Sequence, residues 1–212
     1  MMKRREHGFT LIELLIATSV FSLILLVALA GFAGVGSLFY KGVAITQTQS
    51  ISSQVMDSLR SNIQSAVSVL GPLRSPGGLN YYCVGGVRYT YNLNYEFDTT
   101  KAESASNFGL VKDTLPGSGG CSPPCFSACQ AGETLINKPQ EILANKMRLV
   151  KFQVNAAGGQ LYNVYVNVAY GDDDSFSNLN DPDNIVCKGG LSDQRFCAVI
   201  KMSSSVYEGL HG

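Results

Sequence analysis

The chain has 212 residues and a formal net charge of zero, from 16 basic and 16 acidic side chains. That balance excludes bulk polycation binding to nucleic acid and gives no support for a generally basic membrane surface. The only histidines, His7 and His211, lie near opposite ends, so a His-containing triad or a multi-His metal site is not a basis for an enzyme here.

Residues 1–8 read MMKRREHG, with Lys3, Arg4 and Arg5 set against Glu6. An apolar segment follows from Phe9 to Tyr40, and its residues 14–40 form a charge-free run of 27. A membrane helix needs about 20 apolar residues, so this run is long enough to span. Three basic residues before it, against Lys41 alone just after it, predict an amino terminus in the cytoplasm. The run is too long for the apolar core of an ordinary secretory signal. A simple signal anchor is the plain alternative, but Glu13 fits it poorly. An ionised carboxylate inside a bilayer costs about 3 kcal/mol or more and calls for a cationic partner. No Lys or Arg follows Glu13 before Lys41, which points to a partner in another chain.

The stretch Gly8-Phe9-Thr10-Leu11-Ile12-Glu13-Leu14-Leu15-Ile16, behind a basic leader, resembles the leader junction of type IV pilins and type II secretion pseudopilins. The resemblance covers residues 3–30 firmly. It implies cleavage between Gly8 and Phe9 by a membrane prepilin peptidase, and methylation of the new Phe9 amine by the same enzyme. It further implies that Glu13 pairs with the Phe9 amine of a neighbouring subunit and sets the register of assembly. Loss of residues 1–8 leaves 13 basic and 15 acidic residues.

Beyond Lys41 the helix is expected to continue. Ile51, Val55, Leu59, Ile63, Val67 and Leu70 recur at helical spacing, with Ser, Thr and Gln on the other face. Gly71-Pro72 reads as the stop, so residues 9–40 form a membrane or filament-core helix and 41–70 its amphipathic continuation. Many major pilins carry a helix-kinking proline in the apolar segment. Here Gly31, Gly34 and Gly36 occupy that region, as either helix-loosening or close-packing positions.

Residues 71–212 form the expected head, with 11 basic and 13 acidic residues, so direct nucleic-acid binding is not supported. Alternating Val87, Tyr89, Tyr91 and Leu93 predict a strand within 84–95, and residues 96–146 read as mostly irregular. Met147–Val154 and Leu161–Tyr170 read as a hairpin around Asn155–Gly159. Val164, Val166 and Val168 are expected to face the helix, with Asn163, Tyr165 and Asn167 outward. A last strand is expected over Phe196–Met202. The tyrosines Tyr81, Tyr82, Tyr89, Tyr91 and Tyr95 suit either an adhesive surface or half-buried strands. The pattern as a whole is α+β, a long amino-terminal helix packed on a small antiparallel β-sheet, which agrees with the pilin resemblance.

All six cysteines lie in the head, and an even count in an exported domain points to disulfides. Cys121, Cys125 and Cys129 have C-x3-C-x3-C spacing, and zinc would require Cys83 as a fourth soft ligand. Cys187 and Cys197 flank a loop that a bridge would pin, and disulfide-bounded carboxy-terminal loops are common in pilins. That pair leaves Cys83, Cys121, Cys125 and Cys129 for two further bridges. Asp172, Asp173, Asp174, Asn178, Asn180, Asp181 and Asp183 crowd one segment without a basic residue. Calcium takes six to eight oxygen ligands, and some pilin heads bind it in irregular loops; a solvated, self-capped acidic turn is the other reading.

The functional expectation is a non-enzymatic filament subunit that most resembles a minor type IV pilin, without a cofactor unless calcium binds the acidic loop. Its expected partners are other pilin subunits, the prepilin peptidase, the pilus assembly platform and the membrane. It is expected in the inner membrane as a single-pass protein with its head outside the cytoplasm, then in a pilus at the cell surface. A type II secretion pseudopilin and a membrane-anchored adhesion module that never enters a filament are the alternatives.

Overall fold

The computed structural model describes residues 10–66, 69–74, 80–100, 108–114, 140–188 and 196–209, apart from the side chains of Ala33 and Ser37. The chain divides into two compact units, Met1–Tyr40 and Lys41–Gly212.

Helix α1 runs Leu11–Ser65 and enters both units. In the first unit its large apolar side chains are exposed all round. In the second unit one stripe is buried: Val55, Leu59 and Ile63 are wholly inaccessible, and Ile51 packs beside them. Thr48 and Ser52 continue the buried face, each donating its hydroxyl to the carbonyl four residues back, Ala44 and Thr48. Buried hydroxyls are thereby satisfied without a partner on another element.

The helix stops earlier than the sequence pattern predicts. It ends at Ser65, and Leu70 lies in strand β1, Val69–Arg74. Val69 and Leu70 pair with Val84 and Cys83 of β2, Asn80–Val84. Gly71-Pro72 is a cis-proline pair inside β1, where the register shifts between Leu70 and Leu73. A bulge on an edge strand accommodates a proline, which has no N–H to give to a ladder. Gly71 has φ +142°, and a Cβ there would stand 2.5 Å from the Tyr82 ring. The Gly-Pro pair therefore shapes a strand and does not terminate the helix.

The first sheet is an antiparallel meander, β1-β2-β3-β4-β5. It adds β3 (Val87–Tyr91), β4 (Leu110–Thr114) and β5 (Gln140–Glu141). The region expected to be irregular thus contributes β4 and β5, and residues 115–139 lie outside the described set. The second sheet has the order β10-β7-β6, from β6 (Met147–Gly158), β7 (Leu161–Tyr170) and β10 (Ala198–Tyr207). The β6–β7 hairpin is the expected one, with β6 extending into the expected turn and Gly158, Gly159 and Gln160 turning at positive φ. The last strand begins and ends later than expected. Short strands β8 (Phe176–Ser177) and β9 (Val186–Cys187) pair with each other.

Both sheets and the helix share one core. Val164, Val166 and Val168 are fully buried there, as expected. Phe152 of β6 lies 5.1–6.2 Å, between ring centroids, from Tyr82, Tyr89 and Tyr91 of the first sheet. A long helix followed by antiparallel sheets is the expected α+β fold.

Candidate functional site

Gly8 and Phe9, the expected processing positions, lie outside the described residues. The junction is described from Thr10. The Thr10 hydroxyl accepts from the Glu13 backbone N–H at 3.3 Å, and Glu13 Oε2 accepts from the Thr10 N–H at 2.9 Å. The Thr10 hydroxyl also donates to the same oxygen at 2.9 Å. This is a reciprocal capping box, which satisfies donors left orphaned at a helix start. Glu13 therefore has a local role that the reading of it as a bare charge missed. The T-x-x-E spacing of Thr10 and Glu13 was the available signal. Among the described residues, Glu13 Oε1 takes no bond and remains open to a cation from elsewhere.

From Leu11 to Tyr40 the helix has Glu13 as its one charged residue. Three hydroxyls in this stretch are satisfied by the helix itself: Thr18 donates to the Leu15 carbonyl, Ser19 to Ile16 and Ser22 to Thr18. A segment with its polar groups internally bonded and its apolar groups facing outward suits lipid or other apolar helices. By length and composition this helix is able to cross a membrane.

In the head, Cys187 and Cys197 form a disulfide, as expected from the loop they flank. Cys83 is also disulfide-bonded, while Cys121, Cys125 and Cys129 lie outside the described residues. The acidic segment draws its counter-charges from strand β6, the turn before it and β10. Lys146 Nζ donates to Asp172 at 3.0 Å, and Lys151 Nζ to Asp183 at 2.6 Å. Arg148, fully buried, pairs with Asp173 and with Glu96, donates to the Gly171 carbonyl, and stacks over the Phe176 ring.

Lys151, Asn167 and Lys201 form one cross-strand row over β6, β7 and β10. All three grip the same turn: Asn167 donates to the Pro182 carbonyl at 2.9 Å, and Lys201 to the Asp183 carbonyl at 2.5 Å. This corrects the expectation that Asn167 faces out, since the turn covers it. Asp181 accepts from the Asn184 side chain and from the backbone N–H groups of Asp183 and Asn184. The Asn184 amide, followed by these backbone donors, holds its carboxyl below the ordinary range. Asp174, Asn178 and Asn180 complete the segment. Among the described residues, no group of three or more His, Cys, Asp or Glu side chains is placed to hold a metal ion.

A family model described as the prokaryotic N-terminal methylation motif matches residues 3–29. The chain carries the signature of type IV pilin-like prepilin proteins. The motif takes in the basic leader, the Gly8-Phe9 junction, the capping box and the first turns of α1. It implies processing by a prepilin peptidase and assembly with other pilin subunits. It points to a structural protein, and with the apolar helix it fits inner-membrane anchoring followed by pilus assembly. No curated protein and no solved structure matches the chain. The head is therefore read from its own residues.

Those residues settle the tyrosine question. Tyr81, Tyr82, Tyr89 and Tyr91 are buried, which overturns the adhesive-surface reading for them. Burial pushes the Tyr82 and Tyr89 hydroxyls up, and pushes Tyr91 up to about 12 with help from its neighbour Tyr82. Tyr89 also ties the helix to the sheet: its hydroxyl lies 2.8 Å from Ser58 Oγ and accepts from Asn62 Nδ2. Across the strands, Arg88 and Asp113 face each other in register as a buried bidentate pair. Alternation alone did not signal this pair, because Arg88 and Thr90 are buried on the strand face that an alternating pattern assigns to solvent.

Proposed function

We propose that this chain is a minor type IV pilin, a structural subunit that enters a pilus or pilus-like filament after leader removal. The single observation that carries this is the continuity of the methylation motif at residues 3–29 with an exposed, internally bonded apolar helix. In this reading the peptidase cuts between Gly8 and Phe9 and methylates the Phe9 amine. The Glu13 carboxylate then pairs with that amine in a neighbouring subunit, so neither charge is buried unpaired in the filament. The Glu13 oxygen left open by the capping box is available for that contact. The head, outside the cytoplasm, supplies whatever surface the filament displays. Its size and its cysteines favour a specialised subunit over a simple repeating one.

The test is intact-mass and amino-terminal mass spectrometry of membrane-extracted protein, with and without the cognate peptidase. A chain beginning at methylated Phe9 is the expected result. An intact chain beginning at Met1 or Met2, despite an active peptidase, would reduce the protein to a membrane-anchored head.

A further inference from the structure

Phe39 and Tyr40 meet edge to face, with ring centroids 6.1 Å apart. Both rings are exposed, and Lys41 follows as the first charge after Glu13. Aromatic rings followed by a cation are the chemistry of a membrane–water boundary. Two further observations bracket that boundary. Ala44 and Thr48 are buried within the unit that begins at Lys41, so lipid does not extend along those turns. Val35, Leu38 and Phe39 are each about two-thirds exposed or more, so a boundary nearer Phe32 would leave them in water.

We propose that Phe39-Tyr40-Lys41 is an anchor for the outer lipid headgroup layer, and that it holds Glu13 in the headgroup layer of the opposite leaflet, outside the hydrocarbon. This rests on the reading of α1 as a membrane span. Tyr40 lies 27 residues after Glu13. At 1.5 Å per residue that is about 40 Å of helix. The hydrocarbon core is about 30 Å thick, and about 40–45 Å with its headgroups. At a tilt of about 20° the separation along the bilayer normal is still about 38 Å. With Tyr40 at the outer edge of the hydrocarbon, drawing Glu13 into hydrocarbon needs a tilt above about 42°, and with Tyr40 about 6 Å further out it needs about 27°, in either case above the average tilt of about 20°.

The capping box at Thr10 and Glu13 then sits in a polar layer, where the carboxylate keeps its hydration. Glu13 carries little bilayer penalty while the subunit waits in the membrane. The cost of desolvating it arises on extraction into a filament, and the pairing with an amine offsets it there.

The absence of native tryptophan makes a single introduced indole a unique depth reporter. Full-length Ile12→Trp, Leu26→Trp and Phe39→Trp variants are placed in phosphatidylcholine vesicles brominated at shallow or deep acyl positions. Leu26→Trp is expected to be quenched most by deep bromines. Ile12→Trp and Phe39→Trp are expected to favour shallow bromines by about two-fold or more, as interfacial side chains do. Deep quenching of Ile12→Trp equal to that of Leu26→Trp would overturn the proposal.

Indole itself favours the interface, so a second measurement removes that bias. Leu26→Trp is measured again with Phe39→Leu and Tyr40→Leu, and its depth is expected to shift once the anchor is gone. An unchanged depth would overturn the anchor. Equal, weak quenching of Leu26→Trp by both lipids would instead defeat the spanning reading itself.

Discussion

Helix α1 meets two different solvents along one continuous backbone. Between Leu11 and Tyr40 its large apolar side chains are 44–80% exposed, while Val55, Leu59 and Ile63 beyond Lys41 are completely buried. The difference lies in the polar residues. Beyond Lys41, Ser, Thr, Gln and charged residues occupy one face and leave an apolar stripe for the chain's own sheets. Before Tyr40 no polar face exists, so no single chain of this length covers the segment. A helix at the edge of a core supplies a face for water, and one that is apolar all round needs cover on every side, as the centre of a larger core gives it. Otherwise its partner is lipid or another subunit.

The largest way to break this comparison is at Glu13. Glu13→Ala is expected to lower assembled filament by about 100-fold or more, since an unpaired buried charge costs about 3–5 kcal/mol. Melting of the head is expected to stay unchanged. Thr10→Val sharpens the result, because it removes the cap hydroxyl at about 1 kcal/mol and keeps the carboxylate. Filaments from Thr10→Val but not from Glu13→Ala separate assembly from capping; normal filaments from Glu13→Ala refute the pairing.

The same substitution made in the two regions comes next. Leu59→Ala is expected to destabilise the detergent-solubilised full chain by about 2–5 kcal/mol in denaturant unfolding followed through the head. Leu26→Ala is expected to leave that transition within about 0.5 kcal/mol, as an exposed site does. Equal losses would show that the two units share their stability.

Removing the Cys187–Cys197 bridge, with a sequence separation of 10, is a smaller perturbation of the head alone. The double serine variant is expected to lose about 2–4 kcal/mol. The cross-strand grip of Lys151, Asn167 and Lys201 on the Pro182–Asp183 turn lies outside the loop that the bridge closes and is expected to persist. Leader processing is expected to proceed normally in that variant, and a processing defect would contradict the separation of the two regions.

Alkaline pH acts through the buried tyrosines. The folded-state pKa values of Tyr82, Tyr89 and Tyr91 lie above their unfolded values, with Tyr91 at about 12. Their contribution is fully present below the unfolded value of about 10 and is lost as pH rises toward 12. The denaturation midpoint is therefore expected to fall across that window, less steeply in Tyr91→Phe. A flat profile would place these hydroxyls in water. Calcium is expected to have the smallest effect. Asp172, Asp173 and Asp183 already face cations, so chelation should leave the melting temperature within about 1 °C, and a clear rise with added calcium would revive the ion-site reading.

Much of the head was legible because periodicity reports burial directly. The valine alternation in β7 and the leucine-spaced stripe of α1 each face the core as their spacing requires. Gly71-Pro72 misled because punctuation residues serve strands as well as helices, and only the pairing of Leu70 with Cys83 decides between them. The acidic segment looked unpartnered for a related reason. Lys151 lies 32 residues from Asp183, a distance that local pattern reading does not cross.

Residues 3–29 alone determined the processing signature, the apolar helix and the placement of its one charge, because those properties depend on local composition and spacing. The tertiary structure alone decided where the helix yields to β1, that the tyrosines close a core, and that β6 and the turn before it bring cations to Asp172, Asp173 and Asp183. Each of these depends on which distant residues a fold brings within a few ångströms, and a linear sequence does not state that distance.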